Sequence, residues 1–159
     1  MANVSIKNVD RLTQRFNKIA NMELRAAMNK ATQLVHGQAK ALSPADTGLL
    51  RESIHMQVKD TGKELQGRVY TNCEYAPYVE FGTGVTGNGT YPYEIEGLSL
   101  EYRNKGWAYY DEDNDEWIYT NGQAAQPYMY PALKNHEKTI KAILKQAVQT
   151  KLKENSKGG

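Results

Sequence analysis

Several residues of this 159-residue chain have the types and settings from which chemistry is built. Glu80 stands between Val79 and Phe81 in the aromatic stretch EYAPYVEFGTG, Glu74 to Gly84, where a general acid could sit. No second carboxylate, histidine or metal spacing accompanies it, so acid–base work lacks its other half. Asp46-Thr47-Gly48 is the triplet with which aspartic proteases share a proton between two loops. That triplet follows an apolar strand in such enzymes, whereas here it follows Ala41-Leu42-Ser43-Pro44 at the end of a helix. The reading that remains is a helical turn capped by Asp46 or Thr47, with Gly48 allowing a tight bend. Asp111 to Asp115, DEDND, offers alternating oxygens, but a calcium loop counted from Asp111 needs Gly at its sixth position and Glu at its twelfth, and finds Glu116 and Gly122. A solvated hairpin tip fits better.

His36, His55 and His136 are far apart, with no second ligand at zinc spacing. Cys73 lies next to Glu74, which disfavours its thiolate, and no histidine is adjacent. GTGVTGNGT, residues 82–90, has glycines but neither the strand-to-helix setting nor the lysine of a phosphate loop, so flexibility is the simpler reading. These eliminations leave a chain expected to be non-catalytic, with no cofactor and no metal.

Composition points to binding instead. Eleven of the aromatic residues are Tyr, against two Phe and two Trp, and tyrosine suits surfaces that are dry at one end and wet at the other. A single cysteine excludes an internal disulfide framework. No run of about 18 apolar residues and no apolar signal core at the N-terminus are found, so neither a membrane span nor secretion is expected. The net charge of +2 conceals a division. Residues 1–59 carry nine Lys/Arg and four Asp/Glu, residues 60–130 four and twelve, and residues 131–159 seven and two. Two basic ends flank an acidic middle, an asymmetry suited to docking one subunit on the next.

The elements that must position these residues follow from periodicity. Leu12, Phe16, Ile19, Ala27, Ala31, Leu34, Val35 and Leu42 recur mostly at helical spacing and predict one long helix from Val9 to about Leu42, with a kink near Asn21, closed by Pro44. SIHMQVKD and ELQGRVYTN alternate sides and predict a hairpin that turns at Gly62. Pro77 near the start and Gly82 at the end predict a short helix over EYAPYVEF. Thr83 to Gly106 has no period and reads as a long excursion. GWAYYDEDNDEWIYT predicts a second hairpin with DEDND at its tip. A last helix starts near Pro131, with Leu133, Ile140, Ile143, Leu144, Ala147, Val148 and Leu152 on one face and lysines on the other. The fold class expected is α+β, with long N- and C-terminal helices packed on a mostly antiparallel sheet. A single domain over residues 1–153 with the excursion 83–106, followed by a disordered tail over 154–159, completes it. Lys138, Lys141 and Lys145 could face DNA, which opens an alternative function as a nucleic-acid-binding module.

Three segments together carry a resemblance. Ser43-Pro44-Ala45-Asp46-Thr47-Gly48-Leu49-Leu50-Arg51-Glu52-Ser53-Ile54, Tyr75-Ala76-Pro77-Tyr78-Val79-Glu80-Phe81-Gly82-Thr83 and Gln126-Pro127-Tyr128-Met129-Tyr130-Pro131-Ala132-Leu133 are similar, in order, to the signatures of the gene-ten-like neck family of tailed bacteriophages. Tyr128 stands where phenylalanine is commoner, Ala45 where valine is commoner, and Val85 to Gly106 matches poorly. The resemblance implies a structural virion protein of the head–tail junction, a neck or tail-completion subunit assembled in the host bacterial cytoplasm. Its partners would be copies of itself in a ring, a hexamer matching tail symmetry, and other neck, connector and tail proteins, with DNA passing through the lumen. A tail tube or sheath terminator of a contractile particle is the alternative. The excursion and the second hairpin are expected to contact neighbouring rings. The motif core, or subunit interface, comprises Asp46, Thr47, Gly48, Arg51, Tyr75, Tyr78, Glu80, Phe81, Gly82, Pro127, Tyr128 and Pro131. A carboxylate among aromatic residues needs a counter-charge or donors. For Glu80 the expected partner is Arg51 or a basic group of the adjacent subunit, with Gly82 and Gly84 forming a hinge to a mobile loop.

Overall fold

A computed structural model describes residues 9–44, 48–61 and 64–156, with the side chains of 9–20 and of Asn155 outside the description. Nine elements follow in chain order: helices α1 (Val9–Leu42) and α2 (Leu49–Glu52), strands β1 (Ile54–Asp60) and β2 (Leu65–Thr71), helices α3 (Ala76–Phe81) and α4 (Gly84–Gly87), strands β3 (Trp107–Asp111) and β4 (Glu116–Thr120), and helix α5 (Met129–Ser156). The class is α+β. The expected single sheet is instead two separate two-stranded sheets, β1 with β2 and β3 with β4. Each pair of consecutive strands is joined by a link far too short for a crossover, so each closes as an antiparallel hairpin.

The residues form two compact units. The first takes α1 as far as Val35, residues 56–69, and α5 from His136 onward. Here the stripe Ala31 and Val35, four apart on α1, is buried, and Thr32 beside it is 6% exposed. Small side chains let the β hairpin come close. At Gly67 of β2 a Cβ would run into the Thr32 hydroxyl and lie 3.1 Å from the Met28 sulfur. The Thr32 hydroxyl donates to the Met28 carbonyl at 2.8 Å, which holds it in the position that excludes a side chain at 67.

The second unit takes residues 36–55 and 70–135. Ala39, Leu50, Ile54, Ala76, Tyr128 and Ala132 are its buried apolar residues, and Tyr128 and Ile54 are the largest side chains fully enclosed. The end of α1 is fixed inside this unit: Ser43 N–H donates to Ala39 O, and the Ser43 hydroxyl donates to Lys40 O at 2.9 Å. The helix is continuous at Asn21, where a kink was expected. Sequence periodicity placed Leu12, Phe16 and Ile19 on the apolar face, but those side chains lie outside the described residues, as does the expected turn at Gly62.

α5 begins at Met129, two residues before the expected start at Pro131, and runs through Ser156, so that Glu154 to Ser156 are helical rather than disordered. Residues 157–159 lie outside the description. Among the described residues no helix is long and apolar enough to cross a membrane.

Candidate functional site: the Glu80 clasp and the Arg51 latch

α3 is built to present Glu80. Pro77 sits in its first turn, where a missing N–H costs nothing. Gly82 closes it at φ 78°, its N–H donating to Tyr78 O at 3.0 Å. The helix turns Glu80 inward, and the side chain is 5% exposed.

Its partners within the chain are backbone N–H groups and not the expected Arg51. Glu80 Oε2 accepts the backbone N–H groups of Tyr128 and Met129, each at 2.8 Å, and Oε1 accepts that of Tyr130 at 3.1 Å. Those three donors are the start of α5, and the next residue, Pro131, has none. One carboxylate therefore caps the whole first turn of a 28-residue helix from 48 residues away in sequence. Negative charge there is also favoured by the helix dipole and by the concavity that successive N–H groups form. The capping lets α5 start before Pro131. With both oxygens accepting from backbone donors, Glu80 ties α3 to the start of α5.

Aromatic side chains close over the clasp. Phe81, Tyr91, Tyr93 and Tyr130 form a chain of ring contacts with centroids 5.0, 5.6 and 5.0 Å apart. Tyr128 is 1% exposed, and burial first, then the charge of Glu80, push its phenol up to about 12. The Tyr91 hydroxyl is buried with no hydrogen-bonding partner among the described residues. Burial and the nearby Glu80 raise its pKa further still.

Arg51 does a different task. Its Nη2 donates to Ser43 O at 3.0 Å and its Nε to the Ser43 hydroxyl at 3.5 Å, so a cation sits on the carbonyl end of α1. Gly48, at φ 79°, makes the bend that brings α2 back to that end. Ser53 continues the latch, donating to Leu50 O and bonding the Thr71 hydroxyl, each at 2.7 Å. His36 Nε2 donates to Ile54 O at 3.0 Å. Asp46 and Thr47 lie outside the described residues.

The excursion is not a loose loop. Thr83 N–H donates to Gln123 O at 2.9 Å and Gln123 N–H returns to Thr83 O at 3.2 Å. Thr86 N–H donates to Asn121 O, and Ala125 N–H to the Thr90 hydroxyl at 2.8 Å. The Tyr102 hydroxyl donates to Phe81 O at 2.9 Å. Gly82 and Gly84 therefore mark close backbone approach to residues 121–125, where the sequence had suggested a hinge. The glycine spacing at 82, 84 and 87, opposite Asn121-Gly122, was the available signal.

A cleft of about 1060 Å³ opens within the same unit, lined among others by Leu49, Tyr78, Arg103, Trp107 and Gln123. Arg103 lies 5.4 Å from the Trp107 ring centre. The lining holds, among the described residues, no nucleophile paired with a base. Among the described residues no group of three His, Cys, Asp or Glu side chains is arranged to hold a metal ion.

Of the residues singled out from the sequence, Tyr75, Tyr78, Glu80, Phe81, Gly82, Pro127, Tyr128 and Pro131 belong to the clasp or flank it, and Gly48 and Arg51 to the latch. Lys138, Lys141 and Lys145 lie on the part of α5 that belongs to the other unit. Tyr91, Tyr93, Tyr130 and Gln123 were not anticipated. Residues 5–82 match the family described as "Bacteriophage HK97-gp10, putative tail-component". Over those residues the chain is similar to this family of phage tail components. The matched stretch holds the Arg51 latch and ends at the Gly82 cap, so it contains the first signature segment and all of the second but Thr83. The third, Gln126 to Leu133, lies beyond it and is the segment that Glu80 grips. No curated protein and no solved structure shows a significant match.

Proposed function

We propose that this chain is a neck or tail-completion subunit that closes a homo-oligomeric ring, a hexamer, at the junction of phage head and tail, and that it performs no catalysis. The match of residues 5–82 to a family of phage tail components carries the reading. The clasp supports it, because the buried carboxylate of Glu80 is consumed in holding α5 to α3. The division of charge supports it as well, since closed rings are built from unlike surfaces that meet head to tail. DNA passes through the lumen, and the partners above and below are connector and tail proteins. The test is a phage whose copy of this gene is interrupted. Filled heads and separate tails should accumulate, and purified chain added to the lysate should join them. Normal joined particles made without the chain would contradict the proposal.

A further inference from the structure

The second hairpin has a face with nothing on it. Its register pairs Ala108 with Tyr119 and Tyr110 with Trp117, which puts these four side chains on one side of the sheet. All four are exposed, Tyr110 at 43%, Trp117 at 72% and Tyr119 at 67%. The face is ordered nonetheless. Tyr110 and Trp117 meet edge to face at 5.6 Å, and the Tyr110 hydroxyl donates to Asp115 at the tip. Asp111, Glu112, Asp113, Asp115 and Glu116 surround this end with negative charge and no cation.

α5 carries the complement. Lys138, Lys141, Lys145, Val148 and Leu152 follow at spacings of three and four, a single seam along the helix, so that Val148 and Leu152 lie at the edge of the lysine face and not opposite it as expected. All five are exposed, with Val148 at 44% and Leu152 at 62%. Lys141 pairs with Glu137 at 2.6 Å, a solvated pair worth little. The seam from 138 to 152 is about 21 Å long, and a five-residue strand about 17 Å, so the two surfaces are of similar length.

We infer that the aromatic face of the β3–β4 hairpin docks on the Lys138–Leu152 seam of α5 in a second copy of the chain. Neither surface can pair with itself, because two hairpin tips would oppose five carboxylates to five and two seams would oppose lysines to lysines. Like-on-like contact is thereby disfavoured and a contact between unlike surfaces favoured, which, made head to tail, is the kind that closes into a ring. Trp117 and Tyr119 would supply the apolar contact to Val148 and Leu152, and the tip carboxylates the contact to Lys138 and Lys145. This inference rests on the ring reading above but names the surface, within the ring rather than between rings.

Sedimentation of the purified full chain at low salt over a range of concentrations tests it. Glu112→Lys with Asp113→Lys, and separately Lys138→Glu with Lys145→Glu, should each weaken assembly about tenfold or more, while all four changes in one chain restore it. Trp117→Ser with Tyr119→Ser should abolish assembly with the circular dichroism and thermal midpoint nearly unchanged. Assembly that survives every variant, or that the four-fold exchange fails to restore, would overturn this interface and leave the ring intact. A wild-type chain that stays monomeric removes both.

Discussion

Glu80 shows how a single side chain can decide where a helix begins. A carboxylate accepting charge-assisted hydrogen bonds from three backbone donors contributes more than a neutral cap, because each bond to an ionised group is worth about 1.5–3 kcal/mol. Glu80→Gln keeps the volume but turns an NH2 toward N–H donors, so it should cost about 2–4 kcal/mol. For a chain of this size that is a fall of roughly 5–15 °C in thermal midpoint. Glu112→Gln on the solvated tip should move it by less than about 0.5 kcal/mol; equal effects at the two sites would contradict the clasp. Tyr128 gives a second prediction. The fold raises its pKa from 10.0 to about 12, so it favours the neutral phenol, and the stability this contributes is fully present below pH 10 and lost as pH rises toward 12. Tyrosinate absorbance should show a late ionisation coinciding with loss of tertiary circular dichroism. A single early step with the fold retained would count against the buried clasp. The sequence announced Glu80 as a residue in need of a partner but not which one. The partner is a run of backbone N–H groups, and backbone donors leave no mark in residue type.

The elements were legible where their periodicity was local. α1, both hairpins and α3 lie where spacing and the Pro77 and Gly82 signals put them, because each depends on neighbours within a few residues. The excursion was not, since its order rests on backbone contacts between residues about 40 apart, Thr83 with Gln123 and Thr90 with Ala125. Gly84→Ala tests that packing. At φ 63° an added Cβ would strike the Asn121 carbonyl and lie 2.8 Å from the Trp107 ring. Gly97, at φ 78°, faces open space. Alanine at 97 should cost about 1–2 kcal/mol for the left-handed backbone alone. At 84 it should cost appreciably more and speed hydrogen exchange at residues 121–125; equal losses at both positions would mean the excursion is not packed there. At the other end, Arg51→Ala should cost about 1–2 kcal/mol by freeing the end of α1, with Arg51→Lys recovering part of it in the same denaturation series.

At the scale of the whole molecule, the family signature is a set of fastenings. Ser43 to Ile54 latches the end of α1, and Tyr75 to Thr83 clasps the start of α5 through Tyr128 to Tyr130. This explains how residues so far apart in sequence act together. Apart from these fastenings the chain presents exposed surfaces of opposite charge, the hairpin tip and the lysine-bearing α5. The sequence revealed this division as a count of charges, but the hairpin register was needed to put the aromatic residues on one face. The account stands most directly on the mass of the purified assembly. Native mass spectrometry should find one closed oligomer, six chains, whose size does not grow with concentration. A monomer at every concentration, or an open series that lengthens as the protein is concentrated, would contradict it.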